Sequence, residues 1–190
     1  MPRRSTARER MIAAAGRLFQ RQGYHGTGVA QILEEAQAPK GSFYHHFAGG
    51  KEELAAIAVK AAGTEIIAII DAAFAKATSF SEGANNVAER VGAWFERSDY
   101  AEGCPITAVH LETTPLSDRL TIATREVFAC WCDCVANHAR RLGLADAPAK
   151  DCALGLVLAI EGAWVLARAR RSRDPFVLAA RMAVGLAHCP

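Results

Sequence analysis

The stretch from Thr27 to Phe47, TGVAQILEEAQAPKGSFYHHF, constrains this chain more than any other. Val29, Ile32, Leu33 and Ala36 recur at i, i+3, i+4 and i+7, so they share one face of a helix and bury it. Thr27 precedes that stripe, and its hydroxyl suits an N-cap. Pro39 opens a second helix, where a missing N–H does no harm. Phe43 and Phe47 fall at i and i+4 and point inward, which leaves Lys40, Gly41, Ser42, Tyr44, His45 and His46 facing outward. Two short helices across a tight turn, the second showing small, basic and aromatic groups, describe a helix-turn-helix.

With GYHGT (Gly23 to Thr27) before it and GGKEEL (Gly49 to Leu54) after it, the segment resembles the DNA-binding domain of the TetR family of bacterial transcriptional repressors. The resemblance implies an all-α chain with a helix-turn-helix domain over residues 1–50 and an effector-binding, dimerising domain over 51–190. It implies a homodimer on a palindromic double-stranded operator, released by a small-molecule effector. Two positions depart from the family pattern. Gln37 stands in the turn where Gly is usual, and a Gln with φ > 0 is mildly strained, which leaves open a differently built turn. Gly28 stands where a second Ser or Thr is common, removing one hydroxyl from the phosphate side. The Gly103-Cys104-Pro105 segment followed by His110-Leu111-Glu112-Thr113 is similar to that of the LmrA/YxaF-like members.

The outward residues carry the expected chemistry. Lys40 meets phosphate or a guanine edge, Gly41 lets the backbone come close, and Ser42 reaches base edges or phosphate. Tyr44 holds a phosphate through its hydroxyl or presses on a thymine methyl. His45 and His46 are each open to two roles, donating to phosphate or packing. Thr27 and Lys51 lie at helix starts, where free backbone N–H groups favour phosphate.

Charge agrees with this division of labour. The net charge of +2 is unevenly spread: residues 1–51 hold eight Arg and Lys against three acids, a net of +5, and the remainder carries −3. A basic unit on an acidic body is what phosphate binding at one end requires. Met1 to Arg10 is charged and no apolar segment of signal-peptide type follows. The longest apolar run, Cys152 to Ala169, is short for a membrane span and contains Glu161. A cytoplasmic protein without membrane partners, its six cysteines reduced, is the expectation.

Along the chain, apolar periodicity predicts about nine helices and no strand. Ser5 to Gln22 forms the first, ended by Gly23; the resemblance implies that it braces the other two, with Arg3 and Arg4 as a basic arm. Lys51 to about Ala77 reads as one long helix. Phe80 to Asp99 follows, then a short helix from Ile106 to Glu112, then Ser117 to Leu142 with Leu120, Val127, Trp131, Cys134 and His138 on one stripe. Gly143 to Pro148 reads as a turn. Ala149 to Arg170 is apolar almost all round, as expected of a helix buried on several sides. The last helix runs from Asp174-Pro175 to about Ala187, with Phe176, Ala180, Ala183, Val184 and Ala187 inward. Gly155, Ala159, Gly162, Ala163, Ala179, Ala180, Ala183 and Gly185 are small, and the resemblance implies that the last two helices pair with their copies in a four-helix bundle.

Within the body, Trp94, Cys104, His110, Trp131, Cys134, Glu161 and Trp164 interrupt apolar faces and are the candidates for effector contacts. Each has a plainer reading as core or as a satisfied polar group. Glu161 is the most informative, since a carboxylate in an apolar run needs a partner, a proton or a ligand; Arg168 is one such partner.

Cys130-Trp131-Cys132-Asp133-Cys134 has the look of a metal or redox motif. At about 100° per residue, Cys130 and Cys132 point to nearly opposite sides, so three thiolates cannot meet one ion on an intact helix. Cys130, Cys134 and His138 share a face but span about 12 Å, so one pair could hold a metal and the triple needs outside ligands. Packing cysteines are the main expectation, with no metal centre and no cofactor; a thiol- or metal-responsive regulator using Cys130 and Cys134 is the alternative. Two further classes compete: a cysteine enzyme using Cys104 with His110, and a DNA-structuring protein without an effector. No nucleophile elbow, phosphate loop, HExxH or paired carboxylates support the enzyme.

Overall fold

The computed structural model describes residues 6–186, with side chains to Gly185. Ser5, Arg3, Arg4, Ala187 and Cys189 lie outside the described residues, and so do the expectations placed on them. Nine α-helices and one 3-10 turn make up the described chain, which contains no strand: α1 (Ala7–Gln22), α2 (Val29–Glu35), the 3-10 turn Lys40–Ser42, α3 (Phe43–His46), α4 (Gly50–Phe74), α5 (Phe80–Arg97), α6 (Pro105–Thr113), α7 (Asp118–Arg141), α8 (Asp146–Arg170) and α9 (Asp174–Leu186). The all-α reading holds. The chain packs as two compact units, residues 1–63 with 104–127, and 64–103 with 128–190.

In the first unit, α1 starts on a capping box. The Thr6 hydroxyl accepts from the Glu9 N–H at 3.2 Å, and the Glu9 carboxylate accepts from the Thr6 N–H at 2.7 Å. Helix α1 packs on α2 and on α6. Its inward face, Met11, Ala14, Ala15, Leu18 and Phe19, is buried, and so are Ile32, Leu33, Phe43 and Phe47 of the helix-turn-helix. Each Phe so enclosed contributes about 1.5–3 kcal/mol, enough to hold helices as short as α2 and α3 that would not persist alone.

In the second unit, α5 and α8 both pack on α9. Phe95, Trp164 and Phe176 meet edge-on with centroids 4.9–6.0 Å apart. The C-terminal carbonyls of α4 find side-chain donors: Asn86 Nδ2 reaches Ala73 O at 3.0 Å and an Arg141 guanidinium nitrogen reaches Phe74 O at 2.7 Å.

Two local expectations change. Helix α8 begins at Asp146, inside the stretch read as a turn, because Pro148 occupies the first helical turn, where no N–H is needed. Nor is α8 buried on several sides in the single chain. Ala149, Cys152, Ala153, Leu156, Ile160, Ala163 and Trp164 are inward, while Leu154, Leu158, Val165 and Leu166 are half or more exposed. By length and composition α8 is the one helix among the described residues apolar enough to cross a membrane.

Candidate nucleic-acid interface

The outward face of the second short helix is set by what lies beneath it. Phe43 and Phe47 are fully buried, with ring centroids 5.5 Å apart, and Arg8 covers the outer side of Phe47, its Cζ 5.6 Å from the ring. The helix is tighter at its start than a uniform α-helix: Pro39 is the N-cap of the 3-10 turn, and the Ser42 hydroxyl donates back to Pro39 O at 2.7 Å. Lys40, Gly41, Tyr44 and His45 are exposed, and Ser42 and His46 partly so. Tyr44 is 71% exposed, so its ring and hydroxyl are open to a partner. A side chain at Gly41 would meet no atom, so the backbone there is open to close approach. His45 and His46 lie edge to face at 5.2 Å.

The turn keeps the left-handed geometry despite its Gln. Gln37 has φ +49°. Its N–H donates to Glu34 O at 3.0 Å and the Ala38 N–H to Leu33 O at 2.9 Å, the two bonds of a Schellman motif with Gln at the position Gly usually fills. Arg10 of α1 adds the clamp, donating to Ala36 O at 2.9 Å and Gln37 O at 3.3 Å. On the outer face of the same helices Arg17 pairs with Glu35 at 2.8 Å.

Two candidate residues prove to hold the unit together. Thr27 is not the N-cap of α2: that position is Gly28, extended and without a side-chain bond. Thr27 is fully buried and its hydroxyl donates to Gly23 O at 2.8 Å, because the chain from Gly23 to Thr27 folds back on itself and the Thr27 N–H donates to Tyr24 O. Its side chain therefore leaves the set of phosphate contacts. The Lys51 ammonium donates to Tyr24 O and Thr27 O, each at 3.1 Å, and sits 4.1 Å from the Tyr24 ring centroid. Burial holds its pKa below the ordinary value, with Glu112 opposing. Lys51 is thus a brace between α4 and the loop before α2.

Sequence reasoning missed the residues that fix this unit from outside the helix-turn-helix. Glu112 on α6 accepts the His25 N–H at 2.6 Å, and the His25 ring bonds Glu112 O at 3.1 Å. Ser117 bonds Glu52 at the start of α4. No periodic signal marks such pairs; they join residues 65 to 87 positions apart.

The effector candidates divide between the units. In the first, Cys104 is buried at the N-cap of α6, and His110 is held by the Thr124 and Thr114 hydroxyls at 2.9 and 3.0 Å. In the second, Trp94 and Trp164 meet edge to face at 5.8 Å, Trp131 is buried against Phe128, and Arg168 donates to Ala101 O at 2.5 Å. Glu161 is partly exposed on α8. Cys134 donates to Asp71 Oδ1 at 3.3 Å.

Residues 11–57 match the family described as bacterial regulatory proteins, tetR family, and residues 81–182 match the LmrA/YxaF-like transcriptional regulator C-terminal domain. The chain belongs to the TetR family. It is 34% identical to the HTH-type transcriptional regulator LmrA of Bacillus subtilis over 171 residues, covering 90% of this chain and 91% of that one. It is 32% identical to the uncharacterised regulator YxaF of the same organism over 180 residues, covering 95% and 94%. A crystal structure of regulatory protein TetR from Rhodobacter sphaeroides superposes with a TM-score of 0.81 at 25% identity, covering 94% of this chain and 97% of that one. For this TetR-family regulator, the helix-turn-helix and the helical body follow the family architecture.

Proposed function

We propose that this chain is a repressor that binds a palindromic operator as a homodimer and leaves it when a small molecule binds the helical body. The observation that carries the reading is the row Lys40, Gly41, Tyr44 and His45, outward and unpacked on a helix whose inner side is clamped by Phe43, Phe47 and the Arg10 turn. Ser42 and His46 flank that row. A rigid element with an open polar and aromatic face is what base-edge and phosphate contacts require. In functional terms residues 1–50 read DNA and 51–190 bind effector and partner.

Dimerisation is supported by the apolar side chains left in water on the last two helices: Leu154, Leu158, Val165 and Leu166 of α8, Leu178 and Met182 of α9. A second copy with two-fold symmetry covers such a face and sets two recognition helices at one spacing. The 81–182 match and the 34% identity to LmrA support placement in the LmrA/YxaF-like sub-group, and a regulator of this kind acts in the cytoplasm.

The test is fluorescence anisotropy with DNA from the chain's own promoter against bulk competitor, over a salt series, with mass measured by light scattering. Dimers binding the promoter at least a thousandfold more tightly than bulk DNA are expected. A stable monomer, or a specificity ratio near one, overturns the reading. An effector library scored for release then tests the second half; a wide apolar and cationic set that releases nothing removes it. Effector binding and DNA release share one coupling free energy, so operator DNA must weaken the effector by the same factor.

A further inference from the structure

Three donor atoms of three chemical kinds converge in the second unit. Cys134 and His138 stand one turn apart on α7, and Asp71 stands near the end of α4. His138 Nε2 lies 2.7 Å from Asp71 Oδ1, and Cys134 Sγ lies 3.3 Å from the same oxygen. One ligand atom from each lies within 4.8 Å of the other two. Tetrahedral zinc, with bonds of about 2.0–2.3 Å, needs its ligands about 3.3–3.7 Å apart, so small rotamer adjustments close the site.

The surroundings fix the donors. The His138 ring lies parallel to the Phe74 ring, 5.0 Å between centroids and 12° between planes, and Phe74 is fully buried. Asp71 is exposed and Cys134 and His138 partly so, which leaves a way in from solvent. Asp71 also interrupts an apolar run, IIAIIDAAFA, on the solvent side of α4.

We propose that Asp71, Cys134 and His138 form a binding site for a divalent cation of the zinc class. Mixed sulfur, nitrogen and oxygen donors select Zn²⁺, Co²⁺ or Ni²⁺ over Mg²⁺ and Ca²⁺, which take oxygen alone. Three protein donors leave the fourth position to water. On binding, the Cys134 thiol gives up to buffer the proton it now shares with Asp71, and the His138 proton that faces Asp71 passes from Nε2 to Nδ1 through solvent; His138 then binds through the Nε2 lone pair and Asp71 through Oδ1. The ion ties α4 to α7. The pair is therefore Cys134 with His138, and the outside ligand is Asp71, rather than Cys130 with Cys134.

The test uses the DNA-free full chain, so its failure says nothing about operator binding. Reduced, metal-free protein is titrated with Co²⁺ and then Zn²⁺. One Co²⁺ per chain is expected, with a thiolate-to-cobalt charge-transfer band and tetrahedral d–d bands, about one proton released, and displacement by Zn²⁺. Cys134→Ser abolishes the charge-transfer band. Asp71→Asn and His138→Gln, which keep shape and the helix fold by circular dichroism, weaken Co²⁺ at least tenfold. Cys130→Ser, Cys132→Ser and Cys189→Ser leave the spectrum unchanged. Absence of the band at saturating Co²⁺, its survival in Cys134→Ser, or its loss in Cys130→Ser or Cys132→Ser overturns the proposal.

Discussion

The Arg10 guanidinium donates to the carbonyl of Ala36 at 2.9 Å and thereby locks the turn ahead of the recognition helix onto α1. The neighbouring Gln37 is held at φ +49°, a region that costs an ordinary residue about 1–2 kcal/mol. Gln37→Gly relieves that cost against a smaller loss of unfolded-chain restraint, so chemical denaturation should show a gain of about 0.5–1 kcal/mol. Arg10→Ala should do the reverse, leaving two carbonyls without their donor, and lower stability by about 1–2 kcal/mol.

Gly23 ends α1 with φ +77° and ψ 175°, a combination open to glycine almost alone, and a Cβ there would lie 1.9 Å from Glu112 Oε1. Glu112 can swing away, but the backbone strain stays. Gly23→Ala should therefore lower stability by about 1–3 kcal/mol, and Glu112→Gln added to it should recover little of the loss in the same melt.

The Cys134 thiol is pushed up to about 12, first by burial and then by the Asp71 carboxylate beside it. At pH 8 its thiolate fraction is about a thousandfold below that of an unperturbed thiol with pKa 9. Alkylation by iodoacetamide, followed by peptide mass spectrometry, should mark the exposed Cys130 long before Cys134. Asp71→Asn should bring Cys134 forward. A raised thiol pKa adds stability below the unfolded value and loses it as pH rises from about 9 toward 12, so wild type should soften over that alkaline window more than Cys134→Ser.

At the interface, Lys40→Ala should weaken binding to promoter and bulk DNA alike and reduce the salt slope by about 0.9, the share of one phosphate. Tyr44→Ala should cost about 1–3 kcal/mol on the operator and less on bulk DNA. Because both side chains are exposed, the thermal midpoint should hardly move in either variant.

On the exposed apolar face, Leu158 is 63% in water. Leu158→Glu should turn a dimer into monomers by light scattering while leaving the helical spectrum intact, and operator affinity should fall with the dimer fraction.

The fold was legible where side chains follow a period. The stripe of Ile32, Leu33 and Ala36, the Phe43/Phe47 pair and, to within about three residues, the limits of α4 to α7 are readable from spacing and turn residues. Bonds that close over long loops leave no local trace. The capping role given to Thr27 passed to Gly28 because the Thr27 hydroxyl finds Gly23 O first. Lys51 looked like a phosphate contact and is a brace for Tyr24, since a positive charge reads the same whether it faces a nucleic acid or two carbonyls. Asp71 stands out in the sequence as Glu161 does, a lone carboxylate in an apolar run. The α8 start lies inside the Gly143 to Pro148 stretch, which reads as a turn from composition, because a Pro in the first helical turn does not interrupt a helix.

Trp94, Trp131 and Trp164 are the only tryptophans in the chain, and all three belong to the second packing unit, two of them in the aromatic cluster with Phe95 and Phe176. Intrinsic indole emission is consequently a one-sided gauge: it registers solvent entering the core around α5, α8 and α9, and stays dark to loosening of the recognition helix. Tyrosine light is not so clean, because Tyr24 and Tyr44 lie in the first unit while Tyr100 meets Phe95 edge-on in the second; red-edge excitation, which selects indole, keeps the gauge confined to one part of the molecule.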